Sequence, residues 1–242
     1  MKLKTRRLIL SSFAFFGVAL WVILNPASYE AVFTRVENDG EKYEAVVATE
    51  LSEKDGPLAV EILAKLEVKG RAPKTGYSRE EFYGGWPTVD GCSLRQRIIK
   101  REFGDSAVVE ECNVLAGEYD EPYTGEHKKF NSREEISKGV QIDHVVALSD
   151  AWQKGAQYLE REVRYNIATD PLNLLAVDAA ANEKKSDGDA ATWLPSNKKF
   201  RCQYIARQIS VKYKYGLWVT EAEKGAMEQV LTNCPQEPAV GV

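Results

Sequence analysis

Two stretches decide the fold: IDHVVALSDAWQ, residues 142–153, and DPLNLLAVDAAANEKKSD, residues 170–187. Val140 to Leu148 is β-prone and Ser149 is placed to cap a helix around Trp152. Leu172 to Val177 is a second short apolar strand, and Asp178 caps the helix that follows. The order is strand, excursion, strand, helix.

The polar residues of these stretches form a chemical set. Of Asp143, His144, Asn173 and Asn182, Asp143 carries the only carboxylate and is the natural hard-oxygen ligand for a divalent ion. Magnesium keeps several waters and needs one or two protein oxygens, so Asp143 with the side-chain carbonyl of Asn182 suffices, with Mn²⁺ as the substitute. His144 is then free to take a proton from water, since an imidazole titrating near 6.5 is largely neutral at neutral pH. Asn173 is expected to hold its ring by a hydrogen bond. Lys185 and Ser186, three and four residues after Asn182, share its helix face, which would bring a cation to the reacting phosphate; Lys184 suits the flanking backbone. One condition applies. Neighbours in a regular strand point to opposite faces, so the strand must end or bend for Asp143 and His144 to share a site.

Outward from this core, Pro57 and the spacing of Leu58, Ile62, Leu63 and Leu66 predict a helix running up to Gly70. Ser78 with Glu81 starts a short turn, residues 93–103 read as a helix, and 107–115 as β-rich. Asn197 opens a long helix that Gly216 ends, and the Thr220/Glu223 capping box starts a last helix through Leu231. Residues 29–56 are a weakly patterned linker, or a hairpin turning at Asn38-Asp39-Gly40, and 235–242 read as a flexible tail. Trp152, Trp193, Trp218 and Tyr213 could stack bases, but fall where packing explains them.

The chain has 242 residues, 44% of them apolar, and a formal charge of −4. Without residues 1–28 the balance is 28 basic to 36 acidic, net −8. A net acidic body argues against a protein that coats nucleic acid, but not against one local basic groove. Lys2, Lys4, Arg6 and Arg7 precede an apolar run from Leu8 to Leu24, an export signal or a retained membrane anchor. Cys92, Cys112, Cys202 and Cys234 lack C-x2-C spacing and suit disulfides outside the cytoplasm. Of three pairings, Cys92 with Cys112 and Cys202 with Cys234 is favoured, because each staples a local unit. With two histidines and no C-x2-C cysteines a three-ligand zinc site is disfavoured, and with no G-x-S-x-G elbow so is a Ser-His-Asp hydrolase. His127 reads as an exposed loop residue.

GYSREEF from Gly76, DGCSLR from Asp90, EPYTG from Glu121, the two central stretches, and RCQYIARQISVKYKYGLWV from Arg201 together resemble the HNH endonuclease superfamily. Within it they are similar to exported proteins like the C-terminal domain of GmrSD-type restriction endonucleases. The resemblance implies an α+β fold, a ββα-metal (HNH) core with additional N-terminal and C-terminal helices, over residues 57–234. It places metal ligands at Asp143 and Asn182, the general base at His144 and the orienting amide at Asn173, with DNA, or RNA, as substrate. Arg95 and Arg133 are candidate phosphate contacts. Glu121 stands where the family pattern has Asp, so its turn is left outside the site. No protein partner is implied; a membrane enters only through an uncleaved N-terminus. The competing class is a non-catalytic envelope module that binds nucleic acid on the same fold.

Overall fold

The computed structural model describes residues 56–241. The basic and apolar N-terminus and the hairpin at Asn38-Asp39-Gly40 lie outside the described residues. Helix α1 (Ala59–Leu63) and a 3₁₀ turn at Arg79–Glu81 precede a small ribbon of β1 (Thr88–Val89) and β2 (Cys92–Ser93), then α2 (Leu94–Phe103). A three-stranded antiparallel sheet of β3 (Val108–Glu110), β4 (Asn113–Asp120) and β5 (His127–Phe130) leads into α3 (Arg133–Gly139). The middle of the chain is β6 (Val140–His144), α4 (Leu148–Gln153), α5 (Arg161–Thr169), β7 (Leu174–Asp178) and α6 (Ala179–Lys185). Helices α7 (Arg201–Lys214) and α8 (Glu221–Leu231) follow. The fold is mixed α+β.

Strands β6 and β7 pair antiparallel, from Val140↔Asp178 to His144↔Leu174. Both faces of this pair are covered. Val140, Ile142, Leu174 and Ala176 pack with Leu94, Ile98 and Ile99 of α2, while Leu175 and Val177 pack with Tyr204, Ile205 and Ile209 of α7. Two-sided burial is why β7 reads as a continuous apolar run, Leu174 to Val177, rather than an alternating one. Asp178 caps α6 by accepting the Ala181 N–H at 2.8 Å, and Thr220 with Glu223 forms the capping box of α8.

Two expectations are corrected. Helix α1 ends at Leu63 rather than past Leu66, because the chain turns to let Val68 bridge Val219. Residues 107–115 are β-rich as expected and form a hairpin with its turn at Glu111-Cys112. The tail is docked: Leu58 bridges Pro238, the Ala239 N–H donates to the Pro57 carbonyl at 2.8 Å, and Val240 N–H to Ser210 Oγ at 2.9 Å. Its backbone groups find partners on α1 and α7 that local composition does not reveal.

Cys92–Cys112 and Cys202–Cys234 are bonded, the pairing favoured from the sequence. The first ties β2 to the turn of the β3–β4 hairpin and the second ties α7 to the end of α8. Sequence separations of 20 and 32 are short loops. Closing each removes unfolded-state entropy equivalent to about 2–4 kcal/mol.

A second network, of charge, joins distant parts of the chain. Lys154 Nζ lies 2.6 Å from Asp150, 2.8 Å from Asp189 and 2.6 Å from Glu223. Lys212 reaches Asp150 at 3.2 Å and Glu223 at 3.1 Å, and Arg71 reaches Asp189 at 2.6 Å and Asp150 at 3.3 Å. Three cations thus balance three carboxylates, all except Arg71 buried.

Candidate active site

A cavity of ≈ 290 Å³ opens along the unpaired edge of β6 and takes in Asp143, His144 and Asn182. The condition set by strand geometry is met because His144 is the last residue of β6. At the free edge of a two-stranded pair, where the strand ends, side chains from both faces reach one space.

Asp143 is buried, and its carboxylate accepts hydrogen bonds from Lys185, Tyr123 and the backbone N–H of His144. Lys185 Nζ donates to Oδ1 at 2.9 Å and Tyr123 Oη donates to Oδ2. Burial pushes the carboxyl up from its ordinary range, opposed by the charge of Lys185 and by these hydrogen bonds. Tyr123 comes from the EPYTG turn, which Glu121 organises by accepting N–H groups from Tyr123 at 3.0 Å and Asp178 at 3.0 Å. Glu121 therefore holds the turn together, and Tyr123 is the residue of that motif that contacts Asp143. Sequence reasoning missed it, although the motif itself was in view.

Lys185 does not stand beside the cavity as expected from its helix face. Its side chain is 0% exposed and pairs with Asp143 and the His144 carbonyl, the latter at 2.9 Å. The helix turns it inward, where it neutralises the carboxylate. Lys184 is exposed on α6, outside the cavity lining. Asn182 donates its amide N–H to Gln141 Oε1 at 2.8 Å, which leaves its carbonyl oxygen without a protein donor among the described residues. Helix α6 breaks at Ser186, where φ is +50°, and Asp187 then faces the cavity, held by Lys74 at 3.0 Å and Ser149 at 3.2 Å. Asp187 is a second carboxylate that the sequence reading passed over.

His144 Nε2 lies 2.9 Å from the Ala168 carbonyl. A carbonyl only accepts, so Nε2 carries the hydrogen and Nδ1 keeps its lone pair. Trp86 stacks on the ring, with centroids 5.9 Å apart and planes at 9°, and Tyr83 lies 5.8 Å away. Asn173 does not touch the ring. Its Oδ1 accepts the Val146 N–H at 2.8 Å and its Nδ2 donates to the Ile167 carbonyl at 2.9 Å. The expected ring contact is replaced by a staple between the loop after His144 and the end of α5 that presents Ala168.

Burial drives the His144 imidazole down to about 3; the Ala168 hydrogen bond opposes this, while the charges of Arg79 and Lys185 add to it. Between about pH 3 and 6.5 the unfolded chain binds a proton that the folded chain does not, so stability falls as pH drops below about 6.5, by up to ~1.4 kcal/mol per unit. His127, exposed on β5 with Nδ1 2.8 Å from Asp120, is shifted upward by that hydrogen bond and works in the opposite sense. Urea denaturation at pH 7 and pH 5 should therefore show a larger loss for the parent than for His144→Asn. Equal losses would give His144 an ordinary titration.

Arg95 donates to the Val140 carbonyl at 3.0 Å, and its guanidinium is destabilised by burial and by the nearby charge of Arg133. Neither arginine lines the cavity or pairs with an acid among the described residues. Val140 and His144 are the two ends of β6, roughly 13 Å apart along a strand, so Arg95 sits well away from the imidazole. Trp152 and Trp218 are buried, and Trp193 packs 4.9 Å from Tyr123, as core side chains do; Tyr213 is exposed on α7.

The donor set fits a hard divalent ion. Asp143 and Asn182 both line the cavity, and no hydrogen bond to the Asn182 side-chain carbonyl is made among the described residues; a carboxylate and an amide carbonyl are hard oxygen donors. Among the described residues, the group of three His, Cys, Asp or Glu close enough to share an ion is Cys202, Cys234 and Glu237, whose two sulfurs are bonded to each other. Sparse oxygen coordination at Asp143 is what magnesium tolerates and zinc does not.

The family model described as GmrSD restriction endonucleases, C-terminal domain, matches residues 95–230. An uncharacterized secreted protein of Arthroderma benhamiae is 34% identical over 179 residues, covering 73% of this chain and 84% of that one. No solved structure gives a significant match. No helix among the described residues is long and apolar enough to cross a membrane.

Proposed function

Since this chain belongs to the family of GmrSD restriction endonuclease C-terminal domains, we propose that it is an exported, metal-dependent endonuclease of the HNH type. In this reading β6, β7 and α6 are the ββα unit, and DNA is the substrate, cut with little sequence preference. The observation that carries it is one cavity lined together by Asp143, His144 and Asn182. The family supports DNA through the nuclease description, and the secreted relative and two disulfides support an extracellular location. An added sequence-reading module is not needed for backbone hydrolysis.

His144 Nδ1 takes a proton from water as the water oxygen attacks phosphorus. The bond to the departing 3′ oxygen breaks, and that oxygen leaves protonated by solvent. Ala168 and Trp86 hold the imidazole in the tautomer and plane this requires. Lys185 and Tyr123 fix the Asp143 carboxylate, which with Asn182 would hold a magnesium ion. When bound, that ion supplies positive charge against the phosphate oxygens and the leaving group. Arg95 and Arg133 serve a neighbouring phosphate.

Purified oxidised protein should nick plasmid DNA with Mg²⁺ or Mn²⁺ and stop when EDTA is added, with an RNA transcript as the parallel substrate. Binding without cutting in either metal would instead favour the non-catalytic envelope module. Cleavage confined to a few plasmid positions would contradict the weak sequence preference.

A further inference from the structure

The sequence before residue 95, where the family match begins, supplies part of the cavity wall, through Lys74, Tyr77 and Arg79. It also supplies both rings against His144, Tyr83 and Trp86. The cations near the site divide by what they already neutralise. Lys185 pairs with Asp143 at 2.9 Å, and Lys74 pairs with Asp187 at 3.0 Å. Lys184 does not line the cavity. Arg79 lines it and has no carboxylate at ion-pair distance among the described residues. Its neighbour Glu80 turns its carboxylate to Ser78 and to its own backbone N–H. The Arg79 guanidinium lies over the Tyr83 ring, 5.8 Å from its centroid, and that ring is 5.8 Å from the ring of His144. An arginine resting on an aromatic face is oriented without using its N–H donors on protein acceptors.

The charges then point to a ligand. Both cavity carboxylates are compensated by lysines, so Arg79 adds a positive charge that no acid among the described residues cancels. A planar fork of donors beside the general base matches the two non-bridging oxygens of a phosphodiester. We propose that Arg79 binds the phosphate undergoing cleavage, which makes the segment from Lys74 to Trp86 a working part of the active site. This rests on the nuclease reading above.

Arg79→Ala, Arg79→Lys and Arg79→Glu separate the two ideas when each is measured in two ways. In plasmid cleavage with Mg²⁺, Arg79→Ala should lower kcat/KM by about 10²-fold, mainly in kcat, with lysine restoring part and glutamate lowering it further. In a His144→Ala background, binding of a fluorescein-labelled DNA duplex, followed by anisotropy across salt concentrations, should show a salt slope reduced by about 0.9. Arg79 is exposed, so melting temperatures should hold, and a loss of rate that tracks a loss of stability would overturn the assignment. Unchanged rate and unchanged slope in an active enzyme would remove Arg79 and leave the nuclease reading standing. Should the parent bind DNA without cutting, the slope alone decides for or against Arg79. Should it neither bind nor cut, both readings fall.

Discussion

Replacing His144 with alanine is expected to lower plasmid cleavage by about 10²- to 10⁴-fold while DNA affinity stays close to the parent's. The imidazole is the one group at the cavity with an unprotonated nitrogen directed by its own geometry: Nε2 is held by the Ala168 carbonyl, so Nδ1 is left to accept a proton. Its depressed affinity for protons keeps it neutral across the physiological range, so loss of rate on acidification should not follow an ordinary imidazole titration. The contacts proposed for phosphate, Arg79, Arg95 and Arg133, are untouched by the substitution. Removing the ring also opens space beside the existing cavity, and added free imidazole should recover part of the rate. A variant that cuts at the parent rate would take His144 out of the mechanism, whereas equal losses of rate and affinity would mean that the ring shapes the cavity rather than moving a proton.

Lys154→Met is expected to be strongly destabilising, costing on the order of 3–5 kcal/mol. The Lys154 side chain has no exposed surface and touches Asp150, Asp189 and Glu223 at 2.6–2.8 Å. Without it, three buried carboxylates share Lys212 and the partly exposed Arg71. Burial would push Asp189 up, but Lys154 and Arg71 bring it down to about 2, so its stabilising contribution is present above about pH 4 and is lost as pH falls toward 2. For a chain of this size the substitution corresponds to a fall of roughly 6–20 °C in melting temperature. A double substitution of Lys154→Met with Glu223→Gln should recover part of that loss, because it removes the uncompensated charge along with the cation. A melting temperature within about 2 °C of the parent would show that water or rearrangement replaces Lys154 at little cost.

The family resemblance was legible because its residues lie in local strings, and the structure brings Asp143, His144 and Asn182 to one cavity as those strings imply. Lys185 was misplaced for a geometric reason. Helical spacing gives the angle between side chains on α6, but not which side of the helix meets a buried acid. Asn173 was assigned to the ring because an amide near a histidine is a natural orienter, yet the backbone of the intervening excursion reaches it first. Tyr123 and Asp187 were overlooked because a tyrosine in a turn and an aspartate after a helix carry no periodic signal of their own.

The sequence by itself determined the strand–strand–helix order, the caps at Asp178 and Thr220, and the candidates proposed for metal binding and proton transfer. These depend on backbone preferences and hydrogen bonds spanning a few residues, which local order records. The tertiary structure decided how the charges are paired. Lys185 with Asp143, Lys154 among three acids, and Arg79 without an acid among the described residues are outcomes of contacts between segments far apart in the chain. Whether a cation is neutralised or left available for substrate depends on which distant carboxylate packing brings within about 4 Å, where the Coulomb energy becomes decisive.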